Sequence, residues 1–235
     1  MFHSFQKEQH EERFPDDLMM LSYPDDVVIH TIRQEENKLL ASIFSEGDTS
    51  KKEAILQSFI QLRKYRAEKA HNIIKQEFLS ETIEGMAEYA GCMALKQLSP
   101  NHYRQVIQNN INILAEPAPF FFDIRKMSYY TGSMLCLALS ETGTSFYHEI
   151  GKESLSLFEL ISKEVPPKSI SISPSTILIR MLEKKSSPKG GNPFFFFTYQ
   201  SQLYLCTGIH LRLRSHEYVE TGGLSFLLPF CPSRV

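Results

Sequence analysis

Residues 81–90 read Glu81-Thr82-Ile83-Glu84-Gly85-Met86-Ala87-Glu88-Tyr89-Ala90, and the reading of this run decides the fold class. Ile83, Met86, Ala87, Ala90 and, beyond the run, Met93 recur at three- and four-residue spacing, the period of one helix face. Gly85 is the first glycine after Gly47, so helical signal extends almost unbroken from Ser50 to about Leu98. That length predicts two helices meeting end to end, or one long bent helix, with a break near Ser80. Ser50 and Glu53 have the spacing of a capping box at its start.

The same period continues outward in both directions. Asp25 and Asp26 open a helix through about Phe44, with Val28, Ile29, Ile32, Leu39, Leu40 and Ile43 on its apolar face. Phe2 and Phe5 place a further helix over 2–13, broken by the segment around Pro15 and Pro24. Pro100 starts a helix to about Leu114, and Glu116-Pro117-Ala118-Pro119 is a stiff connector. Residues 123–140 and 144–162 read as a helical hairpin around Thr142-Gly143-Thr144. Pro174 and Ser175 open a short helix to about Lys184. The expectation is a mainly α, multi-helix domain over 1–189.

Residues 190–235 differ in kind. All 15 lysines lie at or before Lys189, and Phe194 to Phe197 lead into alternating segments such as Tyr199 to His210 that favour strand. This tail is expected to be a small β or irregular appendage, or an out-of-frame extension after Lys189.

The chain has 235 residues, 42% of them apolar, a formal net charge of −2 and a sequence pI of about 6.5. Such a composition supports a globular core and argues against a nucleic-acid binder, which concentrates basic residues on one face. Cys92, Cys136, Cys206 and Cys231 form no CxxC pair, which excludes a structural zinc site of the usual spacing. Cys92 and Cys136 lie in apolar helical patterns, as reduced buried thiols of a cytoplasmic protein would. The N-terminus lacks the charged and apolar regions of a signal peptide, and no apolar run is long enough to span a membrane.

Glu84-Gly85-Met86-Ala87-Glu88-Tyr89 resembles the E-G-x-A-x-Y signature of gluzincin-type zinc metallopeptidases, whose glutamate before glycine is the third metal ligand. Members of that family take their other two ligands from HExxH on a separate helix. Histidines four apart reach one ion there, and the glutamate between them faces metal-bound water as general base. No HExxH occurs here. The opening Met1-Phe2-His3-Ser4-Phe5-Gln6 nonetheless matches HEMFHSFQ without its first two residues, and nothing ahead of Phe2 caps the helix. The resemblance therefore implies a chain that starts inside the metal-binding helix, with His3 as the second histidine ligand and the first histidine and general base missing. Tyr129-Tyr130-Thr131-Gly132-Ser133-Met134-Leu135-Cys136-Leu137 is similar to the Y-x-x-G-x-x-x-x-L helix behind the active-site helices of such enzymes. It implies that Tyr130 could hydrogen-bond the oxyanion of a tetrahedral intermediate.

On this reading zinc and a peptide or protein substrate are the implied cofactor and partner, and the chain as given is inactive. The plain reading of the same residues is a solvated His3, a charged helix face at Glu84 and Glu88, close packing at Gly85, a core tyrosine at Tyr130 and an Arg125 paired with a helix carboxylate. It makes the protein a non-catalytic helical interaction module. His10-Glu11, His148-Glu149 and His216-Glu217 each lack a histidine four positions after the first, and Gly151-Lys152-Glu153-Ser154 lacks the upstream glycine of a phosphate loop.

Overall fold

A computed structural model describes residues 2–70, 73–146, 150–163 and 176–186, together with the backbone of 218–221 and 224–227. It divides into two compact units, Met1–Lys185 and Ser186–Val235. In the first, helices follow one another as α1 (Phe2–Glu8), α2 (Asp17–Met20), α3 (Val27–Ile43), α4 (Thr49–Ala70), α5 (Ile74–Leu98), α6 (Pro100–Ala115), α7 (Ile124–Glu141), α8 (Leu157–Ser162) and α9 (Thr176–Ser186). In the second, β1 (Tyr218–Thr221) pairs antiparallel with β2 (Leu224–Leu227), Thr221 opposite Leu224. The alternating segment at 199–210 and the four phenylalanines lie outside the described residues.

Short acidic and hydroxyl side chains set the helix starts by accepting the amides that an α-helix leaves free in its first turn. Asp26 takes Val28 N at 2.7 Å and Ile29 N at 3.0 Å. Asp123 takes Lys126 N at 2.9 Å, and Ser156 forms a reciprocal capping box with Glu159. The box expected from Ser50 and Glu53 does not form. Asp48 instead accepts Lys51 N at 2.9 Å, so α4 starts at Thr49 and Ser50 lies inside its first turn rather than at its cap.

Three other boundaries differ from the periodic reading. The predicted 2–13 helix ends at Glu8, because His10 adopts a left-handed backbone with φ 59°. Helix α5 begins at Ile74 and runs through Ser80 without a break. Ser80 is fully buried and Thr82 returns its hydroxyl to Phe78 O at 2.7 Å, so packing keeps the polar run helical. Among the described residues of the predicted 144–162 helix, only Leu157–Ser162 is helical. Gly151 has φ 72°, and its N–H donates to Glu11 Oε2 at 3.2 Å.

The core of the helical unit lies where α5 crosses α7 and α3 packs on α4 and α6, around Leu40, Ile43, Phe59, Leu114, Met134 and Leu135. Gly85 on α5 and Gly132 on α7 face each other backbone to backbone. Cys92 and Cys136 are buried free thiols, and burial pushes the first up to about 11 and the second higher. Among the described residues no helix is long and apolar enough to cross a membrane.

Candidate functional site

Glu77, Glu81, Glu84 and Glu88 follow one another on α5 at spacings of four, three and four, which puts all four carboxylates on one helix face. The first three are at most 3% exposed, and Glu88 stands at the exposed end. A carboxylate so buried needs cationic or hydrogen-bonding partners.

For Glu77 and Glu81 the partners are arginines from α3 and α4. Arg66 contacts both oxygens of Glu77, at 2.8 and 3.0 Å, and both of Glu36, Nε at 2.6 Å and Nη2 at 2.8 Å. Arg63 donates to Glu36 at 2.9 Å and grips Glu81 with both arms of its fork. Arg33 Nε lies 3.8 Å from Glu77, and its guanidinium sits 4.5 Å from the Phe121 ring centre. Three buried arginines thus face three buried glutamates. Burial alone would raise the Glu77 carboxyl, but the Arg66 and Arg33 charges hold it down at about 2. This lattice fixes α3, α4 and α5 to one another and keeps the Glu face of α5 in register.

One turn further on, the partners change. His3 on α1 brings Nε2 to 3.1 Å from Glu84 Oε2. Glu84 Oε1 is held by Arg125 on α7, whose other arm is held by Asp17 on α2, and Tyr129 also hydrogen-bonds to the Glu84 side chain. Burial would raise the Glu84 carboxyl, yet the neighbouring His3 and the Arg125 charge leave it below its ordinary value; Oε2 is within ion-pair range of His3 but has no partner in hydrogen-bond geometry. The adjacent Glu84 carboxylate in turn raises the His3 imidazole, although partial burial opposes it.

Gln6 sets the orientation of the His3 ring. Its side chain is fully buried, its Nε2 donates to Ile83 O at 3.2 Å, and its Oε1 lies 2.8 Å from His3 Nδ1. With the amide nitrogen committed to a carbonyl, the amide oxygen faces the ring. Nδ1 therefore carries a proton, and Nε2 is the nitrogen aimed at Glu84.

Of the residues singled out from sequence, His3 and Glu84 come together. Tyr130 does not join them directly. It stacks on Phe120 at a centroid distance of 5.5 Å, and it is raised by burial and then by the charge of Glu88. The adjacent Tyr129 is the tyrosine that reaches Glu84. Glu88 lies next along the face, raised by desolvation and by the Glu84 charge. Arg125 does pair with helix carboxylates, Glu84 on α5 and Asp17 on α2. His148 and Glu149, and His216 and Glu217, lie outside the described residues.

Two ligands with bonds near 2 Å in a roughly tetrahedral arrangement have donor atoms about 3.3 Å apart. The His3–Glu84 pair meets that requirement. Among the described residues, however, no group of three or more His, Cys, Asp or Glu side chains is placed to hold a metal ion. His3 and Glu84 bring together one oriented imidazole and one carboxylate, the carboxylate neutralised by Arg125. Searches against protein-family models, curated proteins and solved structures find no match to this chain.

Proposed function

We propose that His3 and Glu84 are two of the three protein ligands of a gluzincin-type zinc site, and that the protein is metallopeptidase-like. The observation that supports this most is the 3.1 Å approach of His3 Nε2 to Glu84 Oε2. The two residues sit on different helices and occupy the positions that the MFHSFQ and E-G-x-A-x-Y stretches assign to ligands. Zinc held there would polarise a peptide carbonyl and supply hydroxide at neutral pH. Glu84 would donate Oε2, His3 would donate Nε2, and Gln6 would hold the imidazole in the tautomer that leaves Nε2 free. A third ligand and a general base would come from a His-Glu pair directly ahead of Met1. With the two ligands that His3 and Glu84 supply, zinc binding by residues 1–235 would be weak. The buried free thiols of Cys92 and Cys136 support a cytoplasmic setting for this activity.

The test compares residues 1–235 with the same chain carrying the upstream helix that ends in His-Glu. The extended protein should bind zinc at least a hundredfold more tightly and cleave peptides in a chelator-sensitive way, because each added ligand or base contributes orders of magnitude. Equal zinc affinity of the two proteins would overturn the proposal and favour a non-catalytic helical interaction module. In such a module His3 and Glu84 are only an ion pair. Chelator-sensitive cleavage by residues 1–235 alone would place the active site elsewhere.

A further inference from the structure

Within residues 2–13 the buried side chains are Gln6, Glu11 and Arg13, all of them polar, and Phe2 reaches the core only half-buried. Helices α3 to α7, by contrast, each bury apolar side chains in that core. A seven-residue helix such as α1 does not persist without its contacts. A segment with few buried apolar contacts also opens more readily than the core it lies on.

Polar contacts fasten this segment at two places. At the first, Gln6 Nε2 donates to Ile83 O at 3.2 Å, and His3 lies over Glu84 with Nε2 3.1 Å from Oε2. At the second, Arg13 grips both oxygens of Glu11, at 2.7 and 2.6 Å, and the pair holds the loop ahead of α8. Glu11 Oε2 accepts Gly151 N–H at 3.2 Å, and Arg13 Nη1 donates to Leu155 O at 3.1 Å. That loop is tied in turn to α5, where Leu157 N donates to Thr82 Oγ1 at 2.9 Å. Both fastenings therefore lead to one turn of α5, Thr82 to Glu84. Past Pro15 the chain is pinned to α5 again, by Asp16 N donating to Gln76 Oε1 at 2.6 Å.

Two features make the segment releasable. Glu11 and Arg13 neutralise each other within it, so lifting it strands neither charge in the interior. Glu84 keeps Arg125 when His3 leaves, and its Oε2, buried without a partner in hydrogen-bond geometry, gains contact with water. We propose that residues 2–13 form a strap that opens as a unit about Phe14 and Pro15 and gates solvent access to Glu84, with the Glu11–Arg13 pair and Gly151 as its latch. The gate concerns access to the carboxylate and not what the carboxylate binds, so it stands or falls separately from the zinc reading.

The experiment follows hydrogen exchange of the 235-residue chain by mass spectrometry at several low urea concentrations, together with carbodiimide labelling of its carboxylates. In the parent, amides of 2–13 should exchange at least about tenfold faster than those of central α5 and α7, with little dependence on urea, as local opening requires. Gly151→Ala drives a Cβ into Gln9 O at a left-handed φ, and Arg13→Gln removes the fork that holds Glu11. Each should speed exchange in 2–13 by about a further tenfold and raise the labelling of Glu84 in step. The amides of α5 and α7 should not change, and Glu36, buried in the arginine lattice, should stay unlabelled. Arg13→Gln carries the test alone if Gly151→Ala does not fold. Exchange of 2–13 at the rate and urea dependence of α5 in the parent would overturn the proposal, as would variants that speed every helix alike or none. Faster exchange of 2–13 with Glu84 labelling unchanged would also overturn it, since the strap would then open without gating the carboxylate.

Discussion

Gly85 and Gly132 meet with no room for a side chain on either: a Cβ on Gly85 would lie 2.6 Å from Gly132 Cα, and one on Gly132 would lie 2.8 Å from Gly85 Cα. The atoms in the way are backbone, which cannot rotate aside, so a methyl group forces α5 and α7 apart. Overpacking of this kind costs about 1–3 kcal/mol or more. Gly85→Ala and Gly132→Ala should each lower the thermal midpoint by several degrees. Gly91→Ala, at an α5 site open to solvent, should leave it unchanged or raise it. A midpoint for Gly85→Ala equal to that of the parent would show that the two helices do not cross here.

The buried Arg–Glu lattice makes a second prediction, a contrast between neighbouring glutamates. Glu36 is fully buried between Arg63 and Arg66, whereas Glu35 pairs with Lys38 near the surface. Glu36→Gln leaves two guanidiniums short of a carboxylate and should cost about 3–5 kcal/mol by denaturant unfolding. Glu35→Gln should cost less than about 1 kcal/mol. Similar losses for the two would mean that the lattice is hydrated or not formed.

The helical character and the helix start at Asp26 are legible in the sequence, because each rests on short-range signals, whereas the crossing of α5 with α7 is a tertiary contact. The stops at His10 and Gly151 are not legible either, since a left-handed φ at a non-glycine residue and a backbone approach to Gln9 arise from tertiary packing. The convergence of His3 and Glu84 follows from two short motifs read together. Arg125 was visible only as a cation seeking some carboxylate, and nothing local names Glu84 or Asp17 as its partners. The lattice had an unread signal. Glu77, Glu81 and Glu84 at heptad-like spacing on a largely apolar helix, with Arg63 and Arg66 three apart on the one before, spell two complementary charged faces. Polar residues at core spacing pass for a solvated face when only apolar residues are counted.

His30 makes stability depend on pH. It is 1% exposed among Tyr23, Phe121 and Phe122, and burial, followed by the charges of Arg33, Lys185 and Arg66, pushes it down to about 2. The folded protein keeps the ring neutral while the unfolded chain protonates it below about pH 6.5. Its contribution is therefore complete above that pH and falls by about 1.4 kcal/mol per unit as pH drops toward 2. Glu77, also held at about 2, acts in the same direction but only below about pH 4.5. His3, raised by Glu84, acts oppositely, since its contribution is full below about pH 6.5 and fades above. Glu88 and Asp123, raised by burial, oppose the slope nearer their own range. His30→Leu should cancel only the His30 part. The parent-minus-variant stability should then decline steadily from pH 6.5 to 5, and a flat difference would mean that the ring is hydrated and protonates in the fold.

Glu84 and Glu88 lie one turn apart on the same face, yet removing their charges should have opposite consequences. Glu84 is buried between His3 and Arg125, so Glu84→Gln leaves a partly buried guanidinium without its carboxylate and takes the charge from the contact with the imidazole. Denaturant unfolding should show a loss of about 2–4 kcal/mol, the range for breaking a largely buried pair. Glu88 is exposed and held above its ordinary range partly by repulsion from Glu84, so Glu88→Gln should be neutral or slightly stabilising. In the chain extended by His-Glu the same pair separates ligand from bystander. Glu84→Gln should abolish the gain in zinc affinity, and Glu88→Gln should leave most of it, because its carboxylate stands one turn beyond the His3 contact. Stripping zinc with a chelator should return the extended parent to the stability of the 235-residue chain, since a metal bound only by the folded state stabilises by mass action. If Glu88→Gln destroys zinc binding and Glu84→Gln does not, the third ligand is Glu88, and the His3–Glu84 contact is a structural ion pair.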